Sequence, residues 1–272
     1  MNTLYMTFCA SLALCNAAFA LQIDWPELTK EECTNNFLFN CYKNETQDKK
    51  QKALVSIENT TGQDYRDWRR RTASLVHAGA EPKIAQMARA LRNGDYPMVS
   101  LFARIGKREE VIEPAIPIPL FFQCPSRKVV SYLWIFHNLD IQKRDVRGRT
   151  VLHEVVKPQY PPELLAAYLW WGVDPHLHTH SGKTPLHKLA TYAYLYQGGD
   201  VELIAKAAFL MKAGLSCTER NNALHAPYEI AFESNKKLYR FMLLSQHPYI
   251  NNTDGLMRLN ITNIDELVRP KL

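Results

Sequence analysis

The sequence lacks the short motifs that mark the common enzyme and nucleotide-binding families. It contains no glycine-rich phosphate loop, no Gly-x-Ser-x-Gly nucleophile elbow and no paired-cysteine zinc pattern. Cys124 or Cys217 could pair with one of nine histidines, but no spacing fixes such a pair, so packing or a disulfide is the better account of both cysteines. The sequence therefore predicts a protein that is not an enzyme and needs no cofactor.

Long apolar runs are also missing, except at the amino terminus. Residues 1–20 carry no charged side chain and close on Ala18-Phe19-Ala20, the small-x-small pattern of a signal-peptidase site. We expect cleavage after Ala20 and export to the periplasm or the medium, without a stable membrane span. The alternative is an uncleaved anchor that keeps the protein at a membrane, because the run is near the lower length limit for crossing a bilayer.

Basic side chains are in modest excess, with 33 Lys and Arg against 27 Asp and Glu and a formal charge of +6. Removing the leader leaves this charge intact and about 250 residues, enough for one elongated array or at most two compact domains. Four of the six cysteines stay in the processed chain, and an even number in an exported protein allows disulfides. Cys33 and Cys41 are the pair most easily closed, although sequence alone does not fix the connectivity.

The most informative stretch is Thr-Pro-Leu-His-Lys-Leu-Ala at residues 184–190, with a weaker echo 34 residues upstream at residues 150–156. Thr184 can cap a helix with its hydroxyl, and Pro185 suits the first helical position because its missing N–H would be unpaired there. Gly148 and Gly182 stand two residues before the two threonines, as a tight turn requires. The pattern predicts a turn followed by a short capped helix in each copy.

A longer and more apolar helix follows each short one and ends at Gly172 or Gly214, which are placed as C-terminal caps. A turn, a capped short helix carrying Thr-Pro-Leu-His, a longer helix and a glycine together resemble the ankyrin repeat family. The resemblance implies an all-α fold, an ankyrin-repeat solenoid of helix-turn-helix repeats with short hairpin loops. It covers residues 82–247, with repeats starting near residues 85, 116, 150, 184 and 226.

The outer copies depart further from the pattern. The last one begins Ala226-Pro227-Tyr228-Glu229 and starts 42 residues after Thr184, an excess that fits a lengthened helix and loop over residues 192–199. The copy at residues 116–122, Ile116-Pro117-Ile118-Pro119-Leu120-Phe121-Phe122, is degenerate, and the first copy is marked by Asn93-Gly94-Asp95. Outside the repeats, we expect residues 21–81 to form a helical N-terminal cap and residues 248–272 a C-terminal cap or tail.

Within the N-terminal region the sequence predicts a helix over residues 26–42 and then a polar linker through Lys49 and Lys50. Four arginines follow, and they could form a nucleic-acid patch or a solvated helix face: Arg66, Arg69, Arg70 and Arg71. Because Asp64 and Asp67 lie among them, the sequence favours the solvated face. We therefore expect no nucleic-acid partner.

The resemblance also implies where a partner binds, since ankyrin proteins typically hold partners with hairpin tips and exposed inner-helix residues. The residues at these positions are Arg144, Arg147, Arg149, Lys157, His178, His180, Lys183, Tyr192, Arg220 and His225. They predict a basic concave face, with Tyr192 as an aromatic anchor, that binds a protein partner with an acidic surface to a monomer of this chain. The alternative is that these residues are solvated loop charges. An export signal on an ankyrin protein is also typical of bacterial effectors delivered to host cells.

Histidines need a separate interpretation. His153 and His187 stand where the ankyrin pattern places a structural histidine that bonds backbone across the turn. His176, His178 and His180 alternate along a segment expected to be extended, so their rings could converge on a metal ion. No carboxylate or cysteine stands at a fixed spacing from them, and exposed loop histidines are the alternative.

Overall fold

A computed structural model describes residues 36–59, 64–106, 108–196 and 199–245, and within them the chain forms helices and no β-strand. The predicted all-α class is confirmed. The predicted signal peptide, Cys33 and the segment at 248–272 lie outside the described residues. No helix among the described residues has the length and apolar character needed to cross a membrane. The chain divides into two compact units, Met1–Ile116 with Lys128–Leu139 and Pro117–Arg127 with Asp140–Leu272.

The first unit contains helices that pack mainly on their neighbours in sequence. In chain order they are α1 (Phe37–Tyr42), α2 (Gln47–Glu58), α3 (Tyr65–His77), α4 (Ile84–Arg92), α5 (Tyr96–Ile105), α6 (Arg108–Val111) and α7 (Arg127–His137). Both α1 and α2 pack on α3, and α4 packs on α5. The polar linker predicted through Lys49 and Lys50 is wrong, because both residues lie inside α2. Ion pairs at i,i+4 spacing, Glu45 with Lys49 and Asp48 with Lys52, favour the helix there.

The solvated arginine face predicted on α3 is also wrong in one residue. Arg69 is buried, and its Nε donates to Asp95 Oδ2 at 2.6 Å. The same carboxylate oxygen accepts a hydrogen bond from Tyr65, and Oδ1 accepts from the backbone N–H of Met98, which caps α5. Arg66 and Arg70 are exposed, as predicted.

The second unit consists of short and longer helices in alternation. In chain order they are a 3₁₀ helix (Leu120–Gln123), α8 (Val151–Val155), α9 (Pro162–Trp170), α10 (Pro185–Tyr192), a 3₁₀ helix (Ala193–Leu195), α11 (Asp200–Lys212), α12 (Pro227–Ser234) and α13 (Lys236–Leu244). The short helices stack in the order α8, α10, α12, and the longer ones in the order α9, α11, α13. Three helix pairs are therefore packed side by side, each against the next.

Local sequence explains where these helices begin and end. Thr150 and Thr184 precede α8 and α10, and Pro185 is the first residue of α10. Gly172 and Gly214 have φ of +87° and +99°, which glycine adopts without strain, and they close α9 and α11. In each closure the residue after glycine donates back into the last turn, as Val173 N–H does to Tyr168 O at 3.0 Å.

The predicted starts near residues 85, 150, 184 and 226 lie within one or two residues of the first residues of α4, α8, α10 and α12. The start near residue 116 differs, because only the 3₁₀ helix Leu120–Gln123 forms there. Pro117 and Pro119 disfavour the α conformation at the residues before them, Ile116 and Ile118, so no α-helix begins there.

Candidate functional site

Three turns of the same construction precede α8, α10 and α12 in the second unit. We call residues 145–149, 179–183 and 221–225 the first, second and third tips. In each tip the first residue donates its N–H to the carbonyl of the fifth, at 2.9, 3.0 and 3.1 Å respectively. The side chain of that first residue, Asp145, Thr179 or Asn221, accepts from backbone N–H groups of the same tip. The same hydrogen bonds thus recur in each tip, at the interval at which the sequence repeats.

Backbone bonds also join each tip to the next. The N–H of His180 donates to Arg147 O at 3.0 Å, and the N–H of Asn222 donates to Ser181 O at 3.2 Å. Because the second residue of one tip bonds the third residue of the previous tip in both cases, the tips follow one another in a row. Side chains on successive tips are thereby held close together.

His153 and His187 fasten each short helix to the following tip. Nδ1 of each ring accepts the N–H of the threonine before its helix, Thr150 at 3.1 Å and Thr184 at 3.2 Å. Nε2 must then carry the proton, and it donates to Lys183 O at 3.0 Å or to His225 O at 3.1 Å. The structural role predicted for both histidines is confirmed. Burial lowers the pKa of both imidazoles, that of His153 to about 4, so both are neutral at neutral pH.

Four charged residues at the first tip and the end of α8 compensate one another. Arg149 Nε donates to Asp145 Oδ2 at 2.7 Å, and its Nη1 lies 3.7 Å from a carboxylate oxygen of Glu154. The ammonium group of Lys157 donates to the other carboxylate oxygen of Glu154. Arg149 and Lys157, both predicted to bind a partner, are therefore largely occupied within the chain.

Other predicted contact residues are engaged in a similar way. His178 Nε2 lies 2.5 Å from Glu219 Oε1, and Arg220 Nη2 lies 2.9 Å from Glu229 Oε1. Arg144 donates to the carbonyls of Gly148 and His178 instead of projecting freely. The carboxylates of Glu219 and Glu229 reduce the positive charge that the sequence predicts for this face, and the carbonyl contacts fix the position of the Arg144 guanidinium.

Two of the predicted cations keep their charge available. Within the part of the chain that the structure describes, Arg147 and Lys183 form no ion pair with a carboxylate. Arg147 is exposed on the first tip, and Lys183 is half-buried at the end of the second. His180 and His225 are exposed on the same row of tips.

Lys188 is a third such cation, and the sequence analysis assigned it no binding role. It lies in α10 and is half-buried. Lys188 Nζ and Lys157 Nζ lie 5.9 Å and 5.8 Å from the ring centroid of Tyr192, so the predicted aromatic anchor has two ammonium groups near its ring. The sequence did not single out Lys188 as a binding residue, because residues 184–190 were interpreted only as the start of a helix.

The pKa of Lys188 reflects its burial and its cationic surroundings. Burial lowers the pKa of Lys188, and it is lowered further by repulsion from four cations, Lys183, Arg149, Arg147 and Lys157. We call these five residues, Arg147, Arg149, Lys157, Lys183 and Lys188, the basic cluster. Its ion pairs involve two carboxylates, Asp145 and Glu154, so three positive charges are left without a partner there.

Lys206 is a second lysine that the sequence analysis missed. It is fully buried in α11, and its Nζ donates to Lys157 O at 2.6 Å and to Tyr196 Oη at 2.9 Å. The hydroxyl of Tyr196 donates in turn to Val156 O. Lys206 thus binds one carbonyl just after α8 directly and a second through Tyr196, where the last backbone acceptors have no partner in the helix. Burial lowers the pKa of Lys206 to about 8.

The three histidines at 176, 178 and 180 do not converge. His178 pairs with Glu219, whereas His176 lies beside Gly214 and His180 beside Gly148. Within the described ranges no group of three histidine, cysteine or acidic residues is arranged to hold a metal ion. Cys41 is exposed on α1, and its predicted disulfide with Cys33 lies outside the described residues.

A comparison with protein-family models finds no match to this chain, and a comparison with curated proteins finds no matching sequence.

Proposed function

We propose that residues 82–247 form an ankyrin-repeat array and that the protein is an exported, non-enzymatic interaction module. In this proposal it binds an acidic protein segment, as a monomer, through the face that carries the basic cluster. The stacked helix pairs, the recurring tips and the histidine links support the array. The uncharged leader of residues 1–20 supports export, and delivery to a host cell is consistent with both.

The observation that carries the proposal is the uncompensated charge at Arg147, Lys183 and Lys188. Like charges held together destabilise a folded protein, and the carboxylates nearby are already used by Arg149 and Lys157. An acidic partner would relieve this repulsion and gain charge-assisted hydrogen bonds in the same step. Tyr192, which is half-buried and has two ammonium groups near its ring, adds a rigid aromatic surface of the kind found at the centre of interfaces.

Charge reversal tests the proposal. The variant Arg147→Glu, Lys183→Glu, Lys188→Glu is compared with the native protein for binding to a fluorescent peptide of alternating Glu and Gly. Arg149 is left unchanged, because a glutamate there would face Asp145 and Glu154 and unfold the first tip. We expect the native protein to bind more weakly as salt is raised and the variant to lose binding by at least about tenfold.

A matched control carries three reversals on exposed arginines elsewhere: Arg66→Glu, Arg70→Glu and Arg240→Glu. It changes the net charge by the same amount and is expected to keep most of the binding. Melting temperatures of both variants, followed by circular dichroism, establish that each is folded. Equal loss in the two variants would mean that net charge alone attracts the peptide, and the proposed binding face would be abandoned.

A further inference from the structure

The uncompensated cations of the basic cluster lie on neighbouring elements of the second unit. Arg147 comes from the first tip, Lys183 from the second tip and Lys188 from the helix that follows it. The backbone bond from His180 to Arg147 O holds the two tips together, and Lys188 lies 5.9 Å from the ring centroid of Tyr192. The unpaired positive charge is thus held on two adjacent tips and on the helix that follows them.

A partner that matches this positive charge with carboxylates must use more than one acidic residue. In an extended segment, side chains that face the same way are two residues apart, about 6.6 Å along the chain. Each carboxylate brings one charge and two oxygens, so two acidic residues would have to reach Lys188 from positions on either side. A phosphorylated side chain instead brings a charge of about −1.5 to −2 and three acceptor oxygens to one position.

We propose that the basic cluster recognises a phosphorylated serine or threonine in the partner's acidic segment. The inference rests on the proposed function, and it names the group that the same face binds most tightly. Lys183 and Lys188 act as point charges on the phosphoryl oxygens, and Arg147 can donate two parallel hydrogen bonds from its guanidinium. Arg149 and Lys157 remain with Asp145 and Glu154 and form the positively charged surroundings.

Three synthetic peptides that differ only at their centre test this inference. They carry serine, phosphoserine or Glu-Ala-Glu in an otherwise uncharged sequence, so the second and third have nearly equal charge. Binding to the full chain is measured by fluorescence anisotropy. We expect the phosphoserine peptide to bind at least about tenfold more tightly than the Glu-Ala-Glu peptide, and the serine peptide not to bind measurably.

Single variants identify the residues responsible. Lys188→Gln and Lys183→Gln are expected each to weaken the phosphoserine peptide by about fivefold to tenfold, whereas Arg240→Gln leaves it unchanged. Equal or tighter binding of the Glu-Ala-Glu peptide, still dependent on Lys188, would overturn the phosphate inference and keep the proposed acidic partner. Binding of both peptides that is insensitive to Lys183 and Lys188 would overturn the inference and the proposed face together.

Discussion

Leu224 occupies a backbone conformation that glycine fills at the equivalent position of the other two tips. Its φ is +62°, against +73° for Gly148 and +71° for Gly182, and its side chain is 68% exposed. A leucine in this left-handed region is strained by roughly 1–2 kcal/mol, and its exposure means that little burial is lost by truncation. The third tip therefore holds Leu224 in a backbone conformation that leucine disfavours.

Leu224→Gly should stabilise the protein by about 0.5–1 kcal/mol, because relief of strain exceeds the added flexibility of the unfolded chain. The free energy of unfolding from urea titration measures the change. Gly182→Ala is the opposite test, since an added Cβ would lie 2.2 Å from Asn222 Oδ1, and we expect destabilisation. If Leu224→Gly lowered stability, the exposed leucine would have to make contacts worth more than its backbone strain.

Residue identity in the sequence predicted local features of this kind well. Thr184, Pro185, Gly172 and Gly214 indicate helix ends, because each acts on the backbone within a few residues of itself. The ion pairs could not be predicted in the same way. His178 meets Glu219 across 41 residues, a pairing that depends on how the helix pairs stack.

At the scale of elements, His153 accepts the Thr150 N–H at Nδ1 and donates from Nε2 to Lys183 O of the second tip, and it makes both bonds only while its ring is neutral. Burial lowers its pKa to about 4, and repulsion from Lys188 and Arg149 acts in the same direction, whereas the unfolded side chain titrates near 6.5. Between these values the unfolded state binds more protons than the folded state. The stabilisation is complete above pH 6.5 and is lost as pH falls toward 4.

We expect the native protein to lose about 2 kcal/mol more stability between pH 7 and pH 4.5 than the variant His153→Gln, which cannot titrate there. Urea unfolding of both proteins at the two pH values gives the difference. If the native protein and the variant lost the same free energy of unfolding, the pKa of His153 would be unchanged by folding. Acid would then destabilise the array through other groups.

Lys206 connects α11 to the end of α8, and its titration makes the stability of the protein depend on pH in the alkaline range. Burial lowers its pKa to about 8 from the usual 10.5, so the unfolded state binds more protons between these values and stability rises with pH. Burial raises the pKa of Tyr196, so this tyrosine stays protonated in the folded protein while the unfolded one begins to ionise near pH 10. Above that pH the ionisation of the unfolded tyrosine opposes the gain in stability from Lys206.

From pH 8 to pH 10 the native protein should therefore gain about 2 kcal/mol relative to Lys206→Met, a side chain of similar length without a charge. Unfolding by urea at the two pH values is again the measurement. A difference that stays constant with pH would mean that Lys206 is as easily protonated in the fold as in water.

Elements also show the limits of the sequence analysis. The repeat spacing located α8, α10 and α12, because caps and turns recur with them. Polar composition was misleading at Lys49 and Lys50, where it predicted a linker and i,i+4 ion pairs favour a helix. Arg69 was placed at the surface because the nearby Asp64 and Asp67 suggested a solvated face, whereas its partner, Asp95, is 26 residues away.

At the scale of the molecule, charge and topology act together. The formal excess of +6 is modest, and many cations of the second unit are paired with carboxylates of their own chain. What distinguishes the basic cluster is position: the row of tips brings residues 147, 183 and 188 together although they are spread over 42 sequence positions. The repeat pattern predicted that Arg147 and Lys183 share a face, but it predicted neither the contribution of Lys188 nor the ion pairs that neutralise Arg149 and Lys157.

Stacking of the helix pairs in one direction also predicts which helices a destabilising mutation affects. Leu189 in α10 and Leu238 in α13 are both fully buried, so Leu→Ala removes the same atoms at each and should cost about 2–5 kcal/mol. However, α10 packs against α8, α11 and α12, whereas α13 packs against α11 and α12 at the end of the described array. In an array held by neighbour contacts, a central defect uncouples both sides and a terminal one frays only its own end.

Hydrogen exchange followed by mass spectrometry distinguishes the two cases. We expect Leu189→Ala to reduce protection throughout α8–α13, and Leu238→Ala to reduce it in α12 and α13 while α8 and α9 remain as protected as in the native protein. Both variants are measured under the same conditions after circular dichroism has established that they are folded. Equal loss of protection in α8 for the two variants would show that the second unit opens as a single block, which contact between neighbouring pairs alone does not produce.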